Sequence, residues 1–174
     1  MDTRSFFEYL ERRAGSDTSI IATLRRAQAY DPGSYAAAFP IVEPFARGLS
    51  ERDRRTVYLV AGQWANAQRR GSGAGMTLPV ALRRVQMSTG SASVEARFVS
   101  LLDADADELV WRLRHVVSLV SSEGLAIDWP DLLQDLLRWG APNRSVQQAW
   151  ARRFWQEPIS APLEAVSVTS EFAK

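Results

Sequence analysis

Apolar residues recur through most of the chain at the three-and-four spacing of a single helical face. The clearest run lies in 91–140. There Leu109, Val110, Leu113, Val116, Val117 and Val120 share one face of a 3.6-residue period. Asp105 and Glu108 stand at capping-box spacing before them, and an acidic first turn suits the positive end of a helix dipole. Gly124 is placed to stop this helix. Asp128 is placed to cap the next, with Pro130 in the first turn, where a missing N–H does no harm. Leu132, Leu133, Leu136 and Leu137 form its apolar face, and Gly140 closes it.

The same reasoning covers the rest of the chain. Phe6, Phe7 and Leu10 predict a helix over about 3–14, and Ile20, Ile21, Leu24 and Ala27 predict another over about 18–28 with Arg25 and Arg26 beside its apolar face. Asp31-Pro32-Gly33 is a turn signal. Ser34 is expected to cap a helical piece over 35–39, and Pro40 and Pro44 to divide the next segment into short pieces. Ser50-Glu51-Arg52-Asp53 opens a helix through Val57, Leu59, Val60 and Trp64 to about Gln68. Residues 69–76 read as a flexible Gly-rich loop. Thr77 is expected to cap a helix carrying Val80, Leu82 and Val85, and 88–93 to form a second loop. Helices are then expected over about 93–102, 105–122 and 129–139, and Asn143 is expected to cap a last one that Pro158 ends. No internal repeat and no period-two alternation is present. The expected fold is all-α: a helical bundle of two small helical lobes packed in an elongated chain. The lobes would be 1–90 and 91–157, and the Pro, Ser and Thr content of 158–174 reads as a disordered tail.

Composition narrows the chemistry. Of 174 residues, 46% are hydrophobic and 24% charged, the balance of an ordinary soluble domain. No cysteine is present, which excludes disulfides and thiolate metal sites. No apolar run approaches the ~20 residues of a membrane span, and the N-terminus lacks the pattern of a signal peptide. A cytoplasmic protein is expected. His115 is the one histidine, so a catalytic triad or zinc site would have to be built on it. It lies among Arg112, Arg114 and an apolar helix face, where a surface role fits better. Gly71-Ser72-Gly73-Ala74-Gly75 has neither the spacing nor the preceding strand of a phosphate loop. Asp103, Asp105 and Asp107 lack the glycine and glutamate of a calcium loop and fit a helix cap. The usual nucleophilic and metal chemistries lack parts. A non-enzyme with no cofactor, no metal and no small-molecule substrate is expected. Of the six Trp, Trp64, Trp129 and Trp139 are expected in the core; Trp111, Trp150 and Trp155 are candidates for an interface.

The net charge of +1 conceals an asymmetry. Residues 1–102 hold 14 Arg against 9 acids (+5), and 103–174 hold 7 Lys plus Arg against 11 acids (−4). Arg pairs recur at 25–26, 54–55, 69–70, 83–84 and 152–153. Any one pair on a helix reads as a solvated flank. Several gathered on one face would form a track for a phosphate backbone, because the guanidinium fork donates two parallel bonds to phosphate.

Residues 20–140 resemble the CasB family, the small subunit of the type I-E CRISPR Cascade complex. The resemblance is carried by Leu24-Arg25-Arg26, Val42-Glu43-Pro44-Phe45, Glu95-Ala96-Arg97-Phe98, Leu109 with Leu113-Arg114, Ile127-Asp128-Trp129-Pro130 and Leu137-Arg138-Trp139-Gly140. It implies a non-catalytic, all-helical subunit present in two copies. Its partners would be the other Cascade subunits, the crRNA and the target DNA with its displaced strand, and it would stabilise the R-loop in antiviral defence. The implied nucleic-acid-binding residues are Arg25, Arg26, Arg97 and Arg114, with Arg83, Arg84, Arg138, Arg144, Arg152 and Arg153 in similar neighbourhoods. Asp103 and His115 stand where relatives can carry basic residues. The competing reading of the same residues is a helical adaptor that contacts only proteins.

Overall fold

The structure, a computed structural model, describes residues 1–68 and 75–156. The Gly-rich stretch with Arg69 and Arg70, the stop at Pro158 and the tail at 158–174 lie outside the described residues. Among those described there are nine α-helices and no strand: α1 (Thr3–Ser16), α2 (Ser19–Ala27), α3 (Phe39–Ala46), α4 (Glu51–Ala67), α5 (Leu78–Thr89), α6 (Ala92–Leu102), α7 (Ala106–Ser122), α8 (Trp129–Leu137) and α9 (Ser145–Trp155). A 3-10 turn at Ala36–Ala38 precedes α3. The fold is all-α, as the periodicity requires. No described helix is long and apolar enough to cross a membrane.

Caps explain most of the boundaries. Asp105 accepts from the N–H groups of Asp107 and Glu108 at 2.9 and 2.8 Å, and Asp128 accepts from Asp131 N–H at 3.0 Å. Ser50 accepts from Asp53 N–H at 3.2 Å. Gly124 takes the left-handed conformation after α7, with φ 72°. Other expectations are corrected. Ser34 caps nothing: its hydroxyl donates back to the Asp31 carbonyl at 2.7 Å and closes a turn. Pro44 does not break its segment but sits inside α3. The second loop shrinks to Gly90 and Ser91, because Ser91 accepts from Ser93 N–H and starts α6 early. Arg144, not Asn143, occupies the cap of α9, in a left-handed conformation with φ 50°. Asn143 accepts from Ser145 N–H one position outside. Thr77 stands at the start of α5, but its hydroxyl makes no capping bond. Gly75 and Met76 are not loose loop. Met76 N–H donates to Ala126 O at 3.1 Å and Asp128 N–H to Met76 O at 2.8 Å. Gly75 lies so close to this segment that a Cβ there would meet Asp128 N at 2.8 Å.

The core is centred on α4, in which Val57 to Ala65 are buried without a break. Helices α2, α3, α7 and α8 surround it, α1 rests on α2 and α8, and α5 packs against α6, α7 and α9. Helices from both halves of the chain therefore line one hydrophobic core. The α2–α4 seam is sewn by polar groups as well. Gln28 Nε2 donates to Gly62 O at 2.6 Å, Gln63 Nε2 to Gln28 Oε1 at 3.0 Å, and Arg25 Nε to Ala65 O at 2.8 Å. Gly62 is what permits this approach: a Cβ there would meet Gln28 Cγ at 2.9 Å and Leu24 O at 3.4 Å.

A second polar cluster joins α8 to α9. Asp135 is buried, with 8% of its side chain exposed. It accepts from Trp150 Nε1 at 2.6 Å and pairs with Arg138 at 2.7 Å and Arg153 at 3.6 Å. Trp150 is thus a core residue rather than an interface candidate, 1% exposed and edge-on to Trp139 at 5.0 Å. Asp131 pairs with Arg153 at 3.4 Å. Its carboxyl is nevertheless held above the ordinary 3.8, first by burial and then by the neighbouring Asp135 charge.

These seams predict two changes in stability. Gly62→Ala forces Gln28 off the Gly62 carbonyl and lowers stability by about 1–2 kcal/mol, read from urea unfolding. An unchanged midpoint would mean that the seam does not constrain α2. Asp131→Asn has the opposite sign. The folded-state pKa is raised, so the ionised carboxylate is disfavoured in the native protein at neutral pH. The amide removes that penalty, so the variant is more stable than wild type at pH 7. The gain shrinks as the pH falls through the folded pKa and is gone below the unfolded value, where both side chains are neutral. Urea titrations at pH 7 and at acid pH check it, and a gain that persists at acid pH would contradict it.

Candidate nucleic-acid interface

The ten arginines singled out from the sequence have different surroundings. They divide by what already engages each guanidinium.

Arg138 and Arg153 are engaged with Asp135 and Asp131 at the α8–α9 cluster. Arg144 reaches across to the end of α6, donating to Leu102 O at 2.7 Å and pairing with Asp103 at 3.3 Å. Arg83 donates to Gln86 Oε1 at 2.8 Å and lies over the Phe154 ring, 5.9 Å from its centroid. Gln86 in turn donates to Glu95, which also accepts from Trp155 Nε1. Arg83, Arg144 and Arg153 hold helices to one another, while Arg138 pairs at the end of its own helix. Arg84 and Arg152 are exposed and pair with no described acid, on the packed α5 and α9.

Of the four arginines matched most closely, Arg25 and Arg26 lie on α2, Arg97 on α6 and Arg114 on α7. Arg25 is half-buried and turned into α4 through the Ala65 carbonyl. Arg26, its neighbour, is exposed. Arg114 of α7 lines a small depression with Ala27, Gln28, Tyr35, Tyr58 and Leu59, so it lies against the end of α2 whose last turn carries Arg25 and Arg26. Arg114 is partly buried, and its Nε has no partner among the described residues. Arg97 of α6 is exposed on the other flank of α7. It lines a groove of about 430 Å³ between α6 and α7, with Ala96 and Ser100 on its own helix and Trp111, His115 and Val116 opposite. Arg114 and Arg97 thus lie on opposite flanks of α7, and the end of α2 that meets Arg114 is fastened to the core by Arg25.

The sequence reading missed Arg112. This side chain is largely committed to structure: it pairs with Glu108 at 2.9 Å and donates to the carbonyl and hydroxyl of Ser100. Its guanidinium also lies over Trp111, 5.1 Å from the ring centroid. The signal was present in the adjacency of Trp111 and Arg112 and in a Glu four residues before Arg112, the favourable order for an ion pair on a helix. His115 is exposed, with Nδ1 2.7 Å from Trp111 O. No group of three or more His, Asp or Glu among the described residues is placed to hold a metal ion. Asp105 and Asp107 stand at the α7 cap, and Asp103 pairs with Arg144.

A second missed feature lies across α4. Arg54 pairs with Glu43 of α3, and Tyr58 donates its hydroxyl to the same carboxylate at 2.8 Å. The Arg54 bond, with Tyr58 adding to it, holds the Glu43 carboxyl below its usual range. One member of the 54–55 pair is therefore structural. Its neighbour Arg55 is exposed and lines a cavity of about 320 Å³ at the α4–α7 seam with Arg52, Leu59 and Val110.

Comparison with known proteins places this arrangement. The family model for CRISPR-associated protein Cse2 matches residues 21–155. A curated CRISPR-associated protein Cse2 from Thermus thermophilus is 44% identical over 154 residues, covering 86% of this chain and 88% of the relative. A crystal structure of CasB from Thermus thermophilus superposes with a TM-score of 0.79 at 42% identity, over 89% of this chain and 98% of that one. A chain in a CRISPR RNA-guided surveillance complex shares the fold with a TM-score of 0.76, at 24% identity over 88% of this chain and 91% of its own. With matches of this extent and identity, spanning α7 and the helices that frame it, the chain belongs to the Cse2 family of CRISPR-associated proteins.

Proposed function

We propose that this protein is a non-catalytic subunit of a CRISPR RNA-guided surveillance complex of the Cascade type. In this role it holds nucleic-acid backbone, steadying the hybrid of crRNA and target DNA together with the displaced strand in the cytoplasm. Family membership and the shared fold of a surveillance-complex chain support the assembly. The observation that carries the nucleic-acid part is that Arg26 and Arg97 are exposed and pair with no described acid, with Arg114 on the helix that packs against α6 and meets the end of α2, while Arg138, Arg144 and Arg153 are engaged in ion pairs. A cation already paired with a buried carboxylate would have to give up that bond before meeting a phosphate, whereas an exposed unpaired one gives up only water.

The physics suits a subunit that must serve every guide. Phosphate contacts carry no base information. Exchange of a DNA duplex for an RNA–DNA hybrid is close to balanced, so a few backbone contacts tip it. The assembly supplies effective concentration, and a second copy of the subunit would double the contacts, so weak binding by the isolated chain is no obstacle.

Fluorescence anisotropy of a labelled single strand, titrated with salt, tests this reading. Three phosphate contacts give a slope of log affinity against log salt of about −2, and Arg26→Glu with Arg97→Glu reduces it to about −0.7 or less. Arg25 is left in place because it fastens α2 to α4. A double variant that keeps the wild-type affinity and slope removes these residues from the interface. Absence of binding by wild type at low salt would favour an adaptor that meets only protein surfaces.

A further inference from the structure

Trp111 is half exposed, at 49%, yet its surroundings are fixed. The Arg112 guanidinium lies over the ring, 5.1 Å from its centroid. Arg112 moves only if its bonds to Glu108 and to both Ser100 oxygens break. His115 stands edge-on at 5.6 Å and 87°. Its Nδ1 lies 2.7 Å from the Trp111 carbonyl, which can only accept, so Nδ1 is the donor and the imidazole is anchored as well. Across the groove Arg97 is exposed and bonded to no described residue.

This arrangement has a cost and a use. Leaving half of an indole in water forfeits hydrophobic burial, and fixing Arg112 and His115 beside it costs side-chain entropy. In return the aromatic surface is ordered before a ligand arrives, with an uncommitted guanidinium near it. An aromatic surface next to a phosphate-binding cation matches a nucleotide whose base is unpaired: the base stacks on the indole and the adjoining phosphate meets the fork of Arg97. A groove of about 430 Å³ is within the range that takes a small-molecule-sized group. Bases inside a duplex are stacked on one another and cannot present a face here. A peptide can supply an apolar side chain, but brings no phosphate for Arg97.

We propose that Trp111 is a stacking platform for an unpaired base of a single strand, with Arg97 holding the adjoining phosphate. The proposal rests on the strand-holding reading above and adds to it a preference for single strand over duplex and for based over baseless backbone.

The test uses the full chain and three labelled ligands of about 12 nucleotides, a length within the usual single-strand site sizes. They are an oligothymidine, an abasic strand of the same phosphate count, and a duplex. Wild type is expected to bind the oligothymidine about tenfold more tightly than the abasic strand. Trp111→Leu abolishes that difference while leaving abasic binding as it was, and Trp111→Phe retains part of it. Because Trp111 is half exposed, the Leu variant is expected to melt like wild type, which a thermal scan verifies. Equal affinity of wild type for oligothymidine and abasic strand overturns the stacking proposal and leaves the backbone reading standing. So does a Leu variant that keeps the preference; if it also assembles poorly with the other subunits of the complex, the surface belongs to a protein partner. Failure of every ligand to bind at low salt overturns both readings.

Discussion

The close approach of α2 to α4 is the constraint on which the rest of the structure depends. From Val57 to Ala65, α4 is buried on every side, so it can be satisfied only by helices packed all around it. On one side that neighbour must come close enough for Gln28 to reach a backbone carbonyl, and only a residue without a Cβ at position 62 allows it. A buried carbonyl in mid-helix already has its helical partner. The extra bond from Gln28 to Gly62 O therefore fixes where α2 lies along α4, whereas the bond from Arg25 also gives a partner to Ala65 O, one of the last four carbonyls of α4. The meeting of the α2 end, at Ala27 and Gln28, with Arg114 is set by that register. α7 is placed from the other side by the same helix, since Leu59 of α4 lies beside both Val110 and Arg114. The basic flanks of α7 are thus set by the core beneath them and need no ligand to assemble.

The arginines sort by the company they keep. Where a carboxylate is buried, as at Asp135, two cations converge on it, and leaving that charge unpaired would be expensive. The acidic second half of the chain is consequently not an acidic surface opposed to a basic one. Asp135 and Asp131 are consumed within the fold, and their partners Arg138 and Arg153 are ones that a count of charges along the sequence would assign to a binding face.

Much of the fold was legible because capping is local chemistry. Asp105, Asp128, Ser50 and Gly124 each act through bonds to residues within four positions, and the apolar face of α7 is set by spacing alone. The features that were not legible depend on distant neighbours. Pro44 survives inside α3 because only a single helical bond is lost there, in a segment that packs against α4. Trp150 is buried because Asp135, fifteen residues earlier, waits to accept its N–H. Arg144 takes a left-handed cap because its side chain is drawn across to Leu102 and Asp103. For the site, the pairing of residues into Arg-Arg doublets was visible. Which member of each doublet is structural was not. In 25–26 and in 54–55 one guanidinium faces a neighbouring helix and the next faces water, because 100° per residue carries adjacent side chains to different sides of the helix edge.

In the strand-holding role proposed above, that alternation would have a mechanical consequence. An arginine that is anchored cannot reach, but it holds still; one that is exposed can reach, but must be ordered on binding, at a cost of up to about 2 kcal/mol of side-chain entropy. The two kinds stand side by side: Arg25 beside Arg26 on α2, and Arg112 across the α6–α7 groove from Arg97. The anchored members fix the helices and, at Arg112, an aromatic ring. The mobile members then need to make only short adjustments to phosphates whose spacing varies with sequence and strand conformation. A wholly rigid basic face would suit one backbone geometry. A wholly mobile one would lose most of its electrostatic gain to ordering. The interleaved arrangement lies between these, which suits the strand-holding role proposed above.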